Sequence, residues 1–365
     1  MATIPLLDLG AEPFERGVIH GRRLAAEVRA VIETYLARFA LNGLSADEAR
    51  RRGAAAATMI GRRTPDYGRE MEGIAQGAGL PLADIGLLNA RYEISYGVFG
   101  SEIRTAAGSA DGCTAFALMP EHTKSGEVTI GQNWDWLEGL RGNLAVLRVR
   151  PERRPAFLVV TQAGIAGGMM GLNQAGIGLA VNGLTTAEDG KHPSDRPFHV
   201  RVRQILESRS YEEALNQVIG EDRTCSSHFL IAHAEEEAMG IEAAPRRAHY
   251  LHPTDGIYTH ANHFEVGPDD GMGMERLGAN TLYRPRRLER HLRRANRPHD
   301  LATIRAGLTD HFSAPRAICR HADPEDVPAR RLITVASVVL QLKSRTMHVS
   351  DGPPCDNAYQ SFTLN

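Results

Sequence analysis

The chain has 365 residues, a formal net charge of −2, 42% hydrophobic and 24% charged residues, ordinary values for a globular protein. That balance gives no electrostatic reason to expect nucleic acid or an anionic membrane as partner, and no run of about 18 apolar residues is present to span a bilayer. Met1 to Gly10 lack the basic start and apolar run of a signal peptide, and Cys113, Cys225, Cys319 and Cys355 lie far apart with no CxxC pair, which points to free thiols in a cytoplasmic protein and not to a disulfide scaffold.

The first 110 residues read as helical. Leu24, Val28, Val31, Ile32, Tyr35 and Phe39 form one apolar stripe at spacings of three and four. Ser45 with Glu48 is a capping box that starts a second helix running to about Arg62. A third covers Asp66 to Ala78 and stops at Gly79; a fourth follows Pro81 and carries Leu87, Leu88 and Tyr92. Ser101 to Gly112 is small and polar and reads as an exposed loop.

Short β-type runs begin directly after it. Thr114–Met119 and Val128–Asn133 flank Lys124-Ser125-Gly126, a hairpin pattern. Further strands are expected at 144–149, 156–161, 168–172 and 177–182, then helices at 200–208 and 211–219. Strands follow at 228–232, 238–243, 249–252 and 256–260, helices at 280–294 and 301–308, and strands at 334–340 and 346–349. Runs of helices and runs of strands, without βαβ alternation, point to sheets covered by helices. The loop Phe264 to Gly278, with four glycines and four acidic residues, is expected to be mobile and to border a site.

Cys113 stands out by position. It follows Asp111-Gly112 at the helix-to-sheet boundary and opens the first strand of this group. Gly112 can take backbone angles closed to other residues, and strain there would weaken the peptide bond's resistance to attack. Attack by the Cys113 thiol on the Gly112 carbonyl would give a thioester, and water would release a new N-terminus. An α-amine has a reference pKa of about 7.7–8.0, so the freed residue supplies both nucleophile and base. The alternative is a buried structural cysteine. Asp135, at the end of the next strand within Gly131-Gln132-Asn133-Trp134-Asp135-Trp136, comes near Cys113 in a hairpin and could hold the new ammonium; the other reading is a turn carboxylate between core tryptophans. Asn182 and Asn262 each follow an apolar strand, where an amide can cap a turn or donate to an oxyanion. Phe116, Trp134, Trp136 and Met169 either line an acyl pocket or pack the core.

Other constellations carry less. His228, His233, His260 and His263 fall in predicted strands, where ligand spacing fits poorly, so no metal is expected. Cys225 with His228 is a local pair, whereas catalytic pairs usually join distant segments. Gly164 to Gly168 precedes no helix, so a phosphate loop is not expected, and no cofactor is.

Together these segments resemble the acyl-coenzyme A:6-aminopenicillanic acid acyltransferase family, a self-processing cysteine family. Asp111-Gly112-Cys113-Thr114 is similar to its cleavage site and Gly131 to Asp135 to its Gly-Gln-Asn-Trp-Asp motif. Pro13 to Gly21, Leu88 to Glu93, Asn173 to Asn182, Asn262-His263, Tyr283-Arg284 and Asp351 to Cys355 match as well, so the likeness covers nearly the whole chain. The resemblance implies an α+β fold, the four-layer αββα sandwich of N-terminal-nucleophile hydrolases. It also implies cleavage between Gly112 and Cys113 into a helical segment 1–112 and a catalytic segment 113–365 that form one unit. It assigns Cys113 as nucleophile and base, Asp135 as support for its amine, Asn182 and Asn262 as oxyanion donors, and Arg284 as an arginine near the nucleophile, with Arg287 close enough to compete. Related bile-salt hydrolases and penicillin V acylases carry an arginine where Gln132 stands, a departure that favours the acyltransferase branch. The expected activity is hydrolysis of a small N-acyl amide through an acyl-Cys113 thioester. The alternatives are acyl transfer from coenzyme A or an amide to an amine, and a non-catalytic binding protein on the same fold. The partners implied are a small N-acyl substrate, acyl-coenzyme A as a second donor, and the two processed segments with each other; a homo-oligomer is left open.

Overall fold

The computed structural model describes residues 3–95, 112–192, 195–267, 273, 275, 278–294 and 298–365. It begins with a short strand, β1 (Leu6–Leu9), and five helices: α1 (Pro13–Arg23), α2 (Ala25–Ala40), α3 (Ala46–Arg63), α4 (Pro65–Ala78) and α5 (Leu82–Asn89). Local chemistry sets the boundaries. The Ser45 hydroxyl accepts from the Glu48 amide to start α3, and Gly79 ends α4 in the left-handed region at φ 62°. α1 lies against α4 because Gly17 and Gly73 face each other: a Cβ on Gly17 would stand 2.1 Å from the Glu70 carbonyl oxygen.

Then come β2 (Gly112–Leu118), β3 (Thr129–Leu137), β4 (Leu144–Val149), β5 (Phe157–Gln162), β6 (Met170–Asn173) and β7 (Ile177–Gly183), followed by helices α6 (Phe198–Leu206) and α7 (Tyr211–Ile219). The chain continues through β8 (Ser227–His233), β9 (Glu237–Ala243), β10 (Ala248–Leu251) and β11 (Ile257–His260), helices α8 (Asn280–Arg294) and α9 (Leu301–Leu308), and β12 (Leu332–Gln341), β13 (Thr346–Asp351) and β14 (Gln360–Thr363).

The strands form two sheets, one in the order β1-β4-β5-β6-β7-β8-β9-β10 and one in the order β11-β2-β3-β12-β13-β14. Their inner faces share one large apolar core, which includes Ala115, Ala117, Ile130, Leu179 and Val338, while Phe116, Leu118, Leu288 and Leu292 belong to a smaller cluster under α8 and α9. α6 and α7 cover the other sheet. The result is the αββα sandwich. Val28, Val31 and Tyr35 of α2 are buried in the same core as the strands, so the N-terminal helices are built into the sandwich.

Three elements were not anticipated: β1, which pairs in parallel with β4, α1, and β14. β1 offers only four residues, too few for alternation to register, and its partner lies far along the chain. Of the loop expected at 101–112, residues 101–111 lie outside the described residues and Gly112 instead begins β2; residues 268–272, 274, 276 and 277 of the loop expected at 264–278 also lie outside them. Among the described residues, no helix is long and apolar enough to cross a membrane.

Candidate active site

Strand register assembles the site. β2 pairs with β3 so that Gly112 opposes Asp135 and Cys113 opposes Trp134. On its other side β11 ends with His260 opposite Ala115. The chain then runs on antiparallel to β2, which brings Asn262 level with Cys113. The Cys113 backbone N–H donates to Asn262 Oδ1 at 2.6 Å. Alternation sends Cys113, 3% exposed, into the inter-sheet core with Ala115 and Ala117, and sends Thr114 and Phe116 towards α8.

From α8, the fully buried Arg284 reaches back to this point. Its guanidinium donates to the Cys113 carbonyl oxygen at 2.6 Å, to Thr114 Oγ1 at 2.9 Å and to Asn262 Oδ1 at 2.9 Å, and its Nε donates to Asn280 Oδ1 at 3.0 Å. Arg287 points elsewhere: it pairs with Asp310 at 2.5 Å and stacks on Phe312. Of the two candidate arginines, Arg284 is the one beside Cys113.

Gly112 departs from the sequence argument. It lies in extended strand, not in the left-handed region, so backbone angle does not demand glycine. Space does: an added Cβ would come within 2.6 Å of Arg320 Nη1 and 2.7 Å of Asp135 Oδ2. Asp135, buried, also accepts from Thr334 Oγ1 at 2.6 Å, and that hydroxyl in turn accepts from the Arg320 amide at 2.9 Å. Gly112→Ala should therefore fold but displace these groups, slowing self-cleavage roughly tenfold or more, on the scale of a misplaced reacting group; a time course of fragment appearance on a denaturing gel measures it.

Asn182 and Asn262 separate in geometry. Asn262 Oδ1 faces two donors, and its amide donates to the Gly183 carbonyl at 3.0 Å. That bond uses one of the amide's two N–H groups, while the carbonyl oxygen faces the Cys113 nitrogen. Asn182 sits on the inner face of β7, since a Cβ on Gly178, four residues earlier, would meet Ile130 and Leu342. Its Oδ1 accepts from His228 Nδ1 at 2.7 Å, while its buried Nδ2 has no hydrogen-bond partner among the described residues. The Asn182 oxygen can only accept, so His228 carries its proton on Nδ1, and Nε2 then accepts from the Tyr258 hydroxyl at 2.8 Å. Burial first, and then neighbouring His260, push the His228 pKa well below its usual value. The Tyr258–His228 chain therefore holds the Asn182 amide with its donor free in the interior.

His228 stacks on His260 at 3.7 Å between ring centroids, and His260 Nε2 lies 3.0 Å from Glu242 Oε1. Glu242 also accepts the backbone amides of Glu265, Val266 and Gly267. Both imidazoles are engaged in hydrogen bonds. Cys225 is buried, and burial raises its thiol pKa well above the usual value, with Glu93 and Asp189 adding to the effect, so it makes a poor nucleophile.

The proposed pocket residues divide. Trp134 shares the inner face with Cys113. Trp136 donates its indole N–H to the Tyr35 hydroxyl at 2.8 Å, and Met169 is fully buried beside Arg91. Phe116 is excluded as a pocket residue: one position out of phase, it faces α8 and packs over Gly131. The contacts of Thr114, Asn280, Tyr258, His228, Thr334 and Arg320 were not anticipated. Thr114 was noted only within the Asp111–Thr114 segment and His228 only as a metal candidate or Cys225 partner; the rest arrive through tertiary contacts.

Residues 122–354 match the sequence model of the family described as Acyl-coenzyme A:6-aminopenicillanic acid acyl-transferase. The chain is 32% identical over 206 residues to the acyl-coenzyme A:6-aminopenicillanic-acid-acyltransferase 40 kDa form of Emericella nidulans, covering 56% of this chain and 54% of that protein. It is 25% identical over 256 residues to protein dcd1A of Dictyostelium discoideum, covering 61% and 54%. Both matches thus span about half of the relative's length. Among solved structures, the Caenorhabditis elegans N-acylethanolamine-hydrolyzing acid amidase ortholog aligns with a TM-score of 0.45 at 16% identity, over 63% of this chain and 92% of that one.

Proposed function

Since the chain belongs to the acyl-coenzyme A:6-aminopenicillanic acid acyl-transferase family, we propose that it is a self-processing N-terminal-nucleophile enzyme that cleaves small N-acyl amides through Cys113. The observation that carries this reading is the 2.6 Å hydrogen bond from the Cys113 backbone nitrogen to Asn262 Oδ1, itself fixed by buried Arg284. A structural cysteine needs its sulfur packed; here a polar cluster is built around its nitrogen, the atom that becomes the catalytic amine.

In the first reaction Cys113 Sγ attacks the Gly112 carbonyl carbon. The Gly112–Cys113 C–N bond breaks, the nitrogen takes the thiol proton, and a thioester forms. Water then attacks the thioester, leaving a Gly112 carboxylate and a free thiol. Asp135, opposite Gly112, balances charge on the new amine. Segments 1–112 and 113–365 stay together because α2 and the strands share one core.

In turnover the amine takes the Cys113 thiol proton, and the thiolate attacks the substrate acyl carbon. Asn182 Nδ2 donates to the oxyanion, the leaving amine departs with the proton, and water resolves the acyl-thioester. If an amine resolves it instead, the outcome is acyl transfer, and acyl-coenzyme A becomes a second donor. Trp134 lines the acyl side. Assays with and without an acceptor amine decide between the outcomes: free acid formed at full rate without acceptor supports hydrolysis, and its absence overturns it.

The Arg284 charge gives a pH test. A cation beside the amine disfavours the ammonium form, which lowers the amine pKa and extends activity towards acid. Arg284→Gln removes that charge, so the amine pKa rises, and the acid limb of kcat/KM should move to higher pH in whatever cleaved enzyme is recovered. An unmoved limb would mean that the amine is not the titrating base.

A further inference from the structure

Four side chains outside this site converge as a metal-binding set would. His311, Cys319, His321 and Cys355 each present one ligand atom, and all four atoms lie within 4.8 Å of one another. The two sulfurs are 3.5 Å apart, His321 Nε2 is 3.4 Å from Cys355 Sγ and 3.9 Å from Cys319 Sγ, and the two histidine Nε2 atoms are 3.2 Å apart. A tetrahedral zinc with bonds of about 2.3 Å to sulfur and about 2.0–2.1 Å to nitrogen requires ligand–ligand edges of about 3.8, 3.6 and 3.3 Å for S–S, S–N and N–N. These four separations follow those edges within a few tenths of an ångström. The two remaining pairs both involve His311, the exposed member of the set, and lie within the same 4.8 Å.

We propose that these residues form a structural Cys2His2 zinc site. Two thiols and two imidazoles are the donor set that selects this ion, and four protein ligands leave no position for substrate. Binding Zn2+ releases two thiol protons, leaves both imidazoles neutral and involves no redox change. The sequence reading, which expected no metal, missed it because the ligands fit no compact motif: Cys355 stands 34 residues beyond His321.

The site bears on the nucleophile through Arg320, which lies between two ligands. Backbone bonds from the Cys319 amide to Asp310 and from the His321 amide to Pro315 close this loop, and the Arg320 guanidinium reaches the space beside Gly112 and Asp135. A metal at Cys319 and His321 would pin the turn that aims Arg320.

The test is metal content of the full-length protein, reduced, incubated with zinc chloride and dialysed. About one zinc per chain is expected, falling at least tenfold in Cys319→Ser and Cys355→Ser. Cobalt(II) in place of zinc should give thiolate charge-transfer bands and the intense visible bands of tetrahedral coordination, a readout on the wild-type protein that needs no variant to fold. Chelation should lower the melting temperature of the wild type but not of Cys355→Ser. Less than a tenth of a zinc per chain with octahedral cobalt spectra, unchanged zinc in both serine variants, or a Cys319–Cys355 disulfide whose reduction restores no metal uptake would each overturn the site.

Discussion

Cys113→Ala should accumulate as one uncut chain of 39.9 kDa and lose amide cleavage by roughly 10⁴-fold or more, the scale on which nucleophile deletions act. Two losses are expected from one substitution because the same sulfur attacks the Gly112 carbonyl first and the substrate afterwards. Folding should survive: the change removes one small buried atom, and the Asn262 and Arg284 contacts are to backbone atoms that alanine keeps. Cys225→Ala is the control. That thiol is equally buried, and burial together with the Glu93 and Asp189 carboxylates holds its pKa well above the usual value, so the variant should cut itself and turn over normally. Denaturing gels and product assays on the two variants check both halves.

Asn182→Ala should lower kcat by about 10²–10³, the cost of losing one oxyanion donor, with a smaller change in KM, because the donor is needed most where negative charge develops. The chain from Tyr258 through His228 to Asn182 Oδ1 holds Nδ2 inward before substrate arrives, so its hydrogen bond costs no reorganisation during reaction. If kcat stayed within threefold of wild type, as a steady-state assay would reveal, the oxyanion would have to be held elsewhere.

Much of this arrangement was legible along the chain. Helical stripes, the Ser45 cap and the hairpin around Lys124-Ser125-Gly126 are local signals, and they returned as α2, α3 and the β2–β3 pair. Cys113, Asp135 and Asn262 were singled out by their positions and Arg284 through a family likeness, and the register of β2 between β3 and β11 explains their meeting. What stayed hidden depends on phase or distance. Phe116 could not be separated from Trp134 without knowing which face of β2 turns inward. Glycine at 112 looked like a demand on backbone angle until Arg320 and Asp135 were seen to occupy the space of its absent Cβ. The two asparagines differ in their surroundings because each oxygen faces different donors, a matter of tertiary hydrogen bonding that no spacing encodes.

N-terminal sequencing with intact mass of the mature wild-type protein tests the central claim most directly. The account predicts two fragments, the larger beginning at Cys113 with a free α-amine and the smaller ending at Gly112. An active preparation in which residue 113 is still joined to residue 112 would contradict it.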